Sequence, residues 1–176
     1  MAALERGEGG GMSDRDKAFA EYFAARSGSM RATAYLLCGD WHRAEDLVQN
    51  AFTKLYLRWN RVSRQEALDP YVRQVMVRTF IDETRWGWWR RERPHDTPAD
   101  RPAAQAAPVE DRLVLMRALA EVPARQRAVL VLRYWQDLSI EETAAALGVT
   151  TGTVKSQAAR GLATLRAVIG APVPAE

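Results

Sequence analysis

Residues 139–160 read SIEETAAALGVTTGTVKSQAAR, and the fold turns on how this stretch is punctuated. Ser139 and Glu142 stand three apart ahead of an apolar run. That is a capping box, in which the serine hydroxyl accepts from the backbone three residues on and the glutamate reaches back. Leu147-Gly148-Val149 then ends the helix, because glycine takes the left-handed turn that side chains resist. A second helix starts near Thr150 or Thr151 and runs towards Leu165. Ala144, Leu147, Val149, Val154, Ala158 and Leu165 are spaced to face one another across the turn, and the small Ala144 allows a close crossing. This is the pattern of a helix-turn-helix, whose second helix enters a major groove. With Val154, Ala158 and Leu165 inward, Thr153, Ser156, Gln157 and Arg160 lie opposite and Lys155 sits at the border. That face offers donors to base edges and phosphates and carries no acid. The plain alternative is the solvated face of a helical hairpin. The coincidence of capping box, glycine turn, inward stripe and basic outward face favours DNA.

Upstream, every patterned segment also reads as helix. Val109, Leu113, Met116 and Leu119 recur at helical spacing, and Val129, Leu132 and Trp135 continue it after Pro123. Nearer the N-terminus, Ser13 with Asp16 forms an N-cap ahead of Phe19, Tyr22 and Phe23. Ser27-Gly28-Ser29 predicts an interruption before that helix resumes over 30–38. A helix from near Trp41 carries Ala44, Leu47, Val48, Ala51, Phe52 and Leu55 at spacings of three and four. Asp69-Pro70 reads as the next helix entry, Asp capping and Pro at the first helical position. Its buried stripe is Val72, Val75, Met76, Thr79 and Phe80. No segment alternates with the period of a strand.

Between 94 and 108 the pattern breaks: four of the chain's eight prolines fall here, with no large apolar side chain. Such a stretch is an extended linker, reaching about 45 Å at roughly 3.1 Å per residue. The expected fold is therefore all-α, two small helical domains (13–93 and 109–170) joined by a short Pro-rich linker. Residues 1–12 read as a disordered lead-in, with Met12 an alternative start, and 171–176 as a tail.

Composition narrows the function classes. The hydrophobic share, 47%, suits a folded chain. Of 25 basic residues all but Lys17, Lys54 and Lys155 are arginine, whose planar fork bonds phosphates and base edges bidentately. A GC-rich genome explains much of that bias as well. Cys38 is the only cysteine and His42 and His95 lie far apart, so neither a disulfide nor a metal site is expected, and no cofactor motif is present. No run of 18 apolar residues exists, so no membrane insertion and a cytoplasmic location are expected.

Two constellations stand out in the first half. Over 70–93, Arg73, Arg78, Arg85, Arg90, Arg91 and Arg93 outnumber Asp82, Glu83 and Glu92, with Trp86, Trp88 and Trp89 among them. Rings interleaved with cations suit unpaired bases, which stack while arginines hold phosphates. Tryptophans capping a core beside solvated arginines are the plain alternative. Asp40, Glu45, Asp46, Gln49 and Asn50 surround the apolar stripe of the Trp41 helix. Adjacent helical residues diverge by about 100°, so Glu45 and Asp46 do not converge as a catalytic pair. A protein-contact face or a solvated face fits better, and nothing points to an enzyme.

Leu36-Leu37-Cys38-Gly39-Asp40 followed by Ala44-Glu45-Asp46-Leu47-Val48-Gln49-Asn50-Ala51-Phe52 resembles region 2 of extracytoplasmic-function (ECF) sigma factors. Val122 to Arg127, Leu132-Arg133-Tyr134 and Leu138 to Arg166 resemble their region 4. Trp88-Trp89-Arg90-Arg91 resembles the sigma-E-like branch. The resemblance implies a sigma factor that binds core RNA polymerase and directs promoter-specific initiation. Asp46, Leu47, Gln49, Asn50 and Phe52 would grip the clamp helices of the largest polymerase subunit. Arg78, Asp82, Arg85, Trp86, Trp88, Trp89, Arg90 and Arg91 would melt and hold the minus-ten element. Thr153, Lys155, Ser156, Gln157 and Arg160 would read the minus-thirty-five element as duplex. Promoter DNA and core polymerase are the implied partners, and an anti-sigma factor is a further partner the resemblance allows. Asn50 departs from a position often acidic in the family, and Arg78 from one often asparagine. The alternative is a helix-turn-helix regulator of the response-regulator output type, which requires a receiver of alternating strands and helices that 13–93 does not offer.

Overall fold

The computed structural model describes residues 13–62, 65–87 and 109–170. Among these residues there is no strand, and the helices are α1 (Asp14–Cys38), α2 (Trp41–Arg58), α3 (Leu68–Gly87), α4 (Val109–Glu121), α5 (Ala124–Leu130), α6 (Ile140–Leu147) and α7 (Thr151–Ile169). The segment 94–108 and both termini, to which the linker, lead-in and tail were assigned, lie outside the described residues.

Ser13 caps α1 by accepting from the Asp16 amide at 3.2 Å, and Gly39 ends it at φ +74°. The interruption expected at Ser27-Gly28-Ser29 does not occur; α1 runs through it. A helical glycine costs about 1 kcal/mol against alanine. Packing on both sides outweighs that cost: Phe19, Tyr22 and Phe23 pack on the core before Gly28, and Met30, Ala34 and Leu37 are buried after it. The Tyr22 hydroxyl donates to Asp69 at 2.7 Å and Arg26 pairs with the same carboxylate at 3.0 Å, tying the N-terminal flank to α3.

Asp40 caps α2 through the Arg43 amide at 2.8 Å. All six of its apolar stripe residues, Ala44, Leu47, Val48, Ala51, Phe52 and Leu55, are buried between α1 and α3. A 3₁₀ turn, Gln65–Ala67, leads into α3 one residue ahead of Asp69. Asp69 is therefore not the cap expected of it. Its carboxylate faces Tyr22, Arg26 and Arg73 instead. Leu68, Val72, Met76, Val77 and Phe80 form the buried stripe of α3, while Val75 and Thr79 are only half-buried.

In the second half, α5 passes into a π-helical turn, Val131–Trp135, closed by the Gln136 amide on the Val131 carbonyl at 3.1 Å. The extra residue in that turn shifts the helical phase. Trp135, placed on the inward stripe by spacing, is consequently exposed. Leu113, on α4 and ahead of that turn, is exposed as well. Gly161 lets α7 lie against α5, for a Cβ there would stand 3.0 Å from Leu130 Cδ1.

The halves pack on each other. One continuous core joins Met30, Leu37, Met76, Val77 and Phe80 to Ala128, Val131, Leu132, Leu138 and Ala146. Polar contacts cross the same boundary. Arg127 donates to the Leu37 carbonyl at 2.7 Å, and to Ala120 and Val122 carbonyls at 2.9 and 3.0 Å. Gln136 Nε2 donates to Thr33 Oγ1 at 2.5 Å, and Gln74 Nε2 to the Ala145 carbonyl at 3.4 Å. Burial lowers the Arg127 pKa, while the carbonyls gathered around its guanidinium accept from it.

Candidate nucleic-acid interface

The capping box that opens α6 is complete. The Glu142 amide donates to Ser139 Oγ at 3.0 Å and the Ser139 amide to Glu142 Oε2 at 2.7 Å, holding the Glu142 carboxyl below the ordinary range. Gly148 closes the helix at φ +66°, and Thr150 caps α7 through the Thr153 amide at 3.1 Å. Val129, Ala144 and Val154 form the small core that fixes α7 against α6, with Leu147, Val149 and Ala158 packed on it. The second helix is thus held rigidly at its N-terminal end, where a reading helix needs its register fixed.

On α7, Lys155, Ser156 and Arg160 are exposed, whereas Thr153 and Gln157 are half-buried. The latter two face the other half of the molecule. On α3, Arg78, Asp82 and Arg85 are exposed. Arg78 and Asp82 line a cleft of about 290 Å³ together with Thr153 and Gln157. Residues assigned by the sequence to two separate DNA elements therefore share one cavity. Arg125 on α5 lines it too; the sequence placed it within the region 4 resemblance but gave it no role, since an exposed arginine on a short helix carries no periodic signal. Trp88, Trp89, Arg90 and Arg91 lie outside the described residues, as does the side chain of Trp86.

The face proposed for protein contact divides. Asp46, Gln49 and Asn50 are exposed on α2. Leu47 and Phe52 are not available as contacts: they are 1% and 2% exposed, and Phe52 packs edge-on against Phe23 with ring centroids 4.9 Å apart. Apolar helix residues three to five apart belong to the stripe facing the core, and these two hold α2 in place. Glu45 is paired with Arg31 at 2.6 Å, which leaves Asp46 as the unpaired acid of the couple among the described residues. The Cys38 thiol is pushed up to about 11 by burial, so at neutral pH it is a protonated packing group. Among the described residues no cluster of three or more His, Cys, Asp or Glu side chains is placed to hold a metal, and no helix is long and apolar enough to cross a membrane.

Comparison with known proteins assigns both halves. Residues 23–91 match Sigma-70 region 2, and residues 112–165 match Sigma-70, region 4. The chain is 39% identical over 155 residues to the RNA polymerase sigma-E factor of Streptomyces coelicolor, covering 84% of each protein. It is 29% identical over 160 residues to the ECF RNA polymerase sigma factor SigM of Mycobacterium tuberculosis, covering 87% of this chain and 78% of that one. In fold it is similar to the sigma factor RpoE of Bartonella quintana, solved in complex with the anti-sigma factor NepR, at a TM-score of 0.71, 23% identity, and coverage of 89% of this chain and 99% of that one. CnrH, solved with the cytosolic domain of CnrY, is similar at a TM-score of 0.64 and 20% identity, over 89% and 90% of the two chains.

Proposed function

The chain belongs to the sigma-70 family of RNA polymerase sigma factors, in its ECF, sigma-E-like group, and from that premise we propose how its two halves divide promoter recognition. It directs promoter-specific transcription as a non-enzymatic subunit that binds core polymerase and promoter DNA. The receiver required by a response-regulator reading has no place here, since 13–62 and 65–87 contain helices and no strand.

The observation that carries the division of labour is the α7 face, where Lys155, Ser156 and Arg160 stand exposed on a helix whose start is fixed by a glycine turn and a threonine cap. That face, with Thr153 and Gln157, reads the minus-thirty-five element in the major groove. Arg78, Asp82 and Arg85 on α3, continuing into Trp86, Trp88, Trp89, Arg90 and Arg91, take the minus-ten element and hold its unpaired bases. Asp46, Gln49 and Asn50 dock on the clamp helices of the largest polymerase subunit. The packed arrangement supports one further step. A cleft of about 290 Å³ has no room for a duplex between Gln157 and Arg78, so the halves separate when polymerase and promoter are engaged. A turn and a half of DNA is about 50 Å, comparable to the roughly 45 Å reach of 94–108 if extended.

Arg160→Ala tests the assignment of α7. Loss of one base or phosphate contact should cost about 1–3 kcal/mol on a duplex promoter with a minus-thirty-five element. On a template already opened around the minus-ten element it should matter little. An equal loss on both templates would make Arg160 a support of the fold.

A further inference from the structure

We propose that the cleft between the two halves is a binding site for one small aromatic organic anion, a carboxylate or sulfonate of about two fused rings, whose occupancy holds the halves together. Size and lining set the class of ligand. The cavity, about 290 Å³, is close to the lower bound of roughly 300 Å³ for small-molecule pockets and about twice the 150 Å³ that accepts one benzene ring. Ile81 from α3 and Val129, Leu147 and Val149 from the second half give it apolar walls.

Charge sets the rest. Arg78 and Arg125 enter from opposite halves, and neither makes an ion pair or hydrogen bond among the described residues. The Arg78 guanidinium lies over the turn at Gly148, where a Cβ would stand 2.9 Å from its Nη2, so only glycine leaves it this place. Asp82 is the one acid in the lining, and two guanidinium groups against it leave an excess positive charge. Two arginine forks in an apolar lining suit a carboxylate or sulfonate, whose paired oxygens a guanidinium can bond in bidentate fashion. The Gln157 side-chain amide adds a neutral donor to the lining. Because the walls come from both halves, the site exists only while they are packed, and a bound anion stabilises that state by mass action. The effect on transcription rests on the sigma-factor reading above; the binding site itself does not.

The test is calorimetric titration of the full free chain with 2-naphthoate and with the neutral 2-naphthalenemethanol, on wild type, Arg125→Ala and Arg125→Lys. One saturable site is expected, with the carboxylate bound at least tenfold more tightly than the alcohol. Arg125→Ala should abolish that preference and Arg125→Lys retain most of it. In a second arm, saturating 2-naphthoate should reduce capture of the wild-type chain by core polymerase at least fivefold and leave capture of Arg125→Ala unchanged. No saturable binding, equal binding of acid and alcohol, or an unaltered preference in Arg125→Ala overturns the site. Binding as expected without loss of polymerase capture overturns its regulatory role. A chain that never engages polymerase would instead overturn the sigma-factor reading and leave the calorimetric result standing.

Discussion

Thr33→Val should tighten the chain's apparent affinity for core polymerase. Thr33 is wholly buried on α1, and its hydroxyl donates to the Ser29 carbonyl at 2.9 Å while accepting from Gln136 Nε2 across the boundary between the halves. Valine has the same shape and tolerates the helix, so α1 keeps its packing. The bond to Ser29 within α1 is lost in packed and separated states alike, so the difference between those states is the interface bond, whose half-buried Gln136 amide is left to find water. Removing one partner of such a pair costs about 1–2 kcal/mol. That favours separated halves by roughly 5- to 30-fold. If polymerase engages only the separated form, its apparent Kd falls by the same factor, since it equals the intrinsic Kd divided by the competent fraction. Fluorescence titration of core polymerase with labelled chain reads this directly, beside a urea melt of the free protein. Thr33→Val with Gln136→Leu removes both partners and should return the affinity most of the way to wild type. An unchanged Kd for the single variant at undiminished stability, or a double variant as tight as the single one, would refute the idea that packing of the halves opposes docking.

Two further outcomes follow from the second half. Gly148→Ala forces a side chain into φ +66° and should cost about 1–2 kcal/mol of stability by thermal or urea unfolding, with Arg78 swinging aside because its free end is what a Cβ would meet. Glu142 is held below its ordinary pKa by the Ser139 N–H and hydroxyl, so its contribution is complete above the unfolded carboxylate pKa of about 4.3 and is lost as pH falls through the lower folded value. Melts of wild type and Glu142→Ala should accordingly differ at pH 7 and converge at acid pH, and an acid-invariant difference would remove the capping carboxylate from consideration.

How much the sequence disclosed depended on whether a signal was local. The α2 stripe was fully legible because the helix is sandwiched, so every apolar residue at its spacing found a neighbour. The α6–α7 turn was legible for another reason: capping box, glycine and threonine cap are all satisfied within a few residues of one another. Ser27-Gly28-Ser29 misled because local propensity was outweighed by contacts from α2 and α3, which a local reading does not see. Trp135 misled because it closes a π turn, whose wider winding carries it off the stripe that regular helical spacing predicts. Leu47 and Phe52 fell within a motif that resembles a docking helix, yet a motif mixes residues that touch a partner with residues that hold the helix up. Arg127 and Arg125 stood within the stretch that resembles region 4, with no role attached to either. The partners of the first include a carbonyl 90 positions away, and the second matters through a cavity that only the packed halves create.

Transcription by core polymerase, with and without this chain, on a genomic promoter library with mapped transcript starts tests the assignment most directly. The expected result is a discrete set of start sites that appears only with the chain and shares a minus-ten and a minus-thirty-five element at constant spacing. The free chain should meanwhile bind the same duplexes weakly and with steep salt dependence. Tight, sequence-specific binding by the chain alone, with no start sites gained by core polymerase, would contradict it.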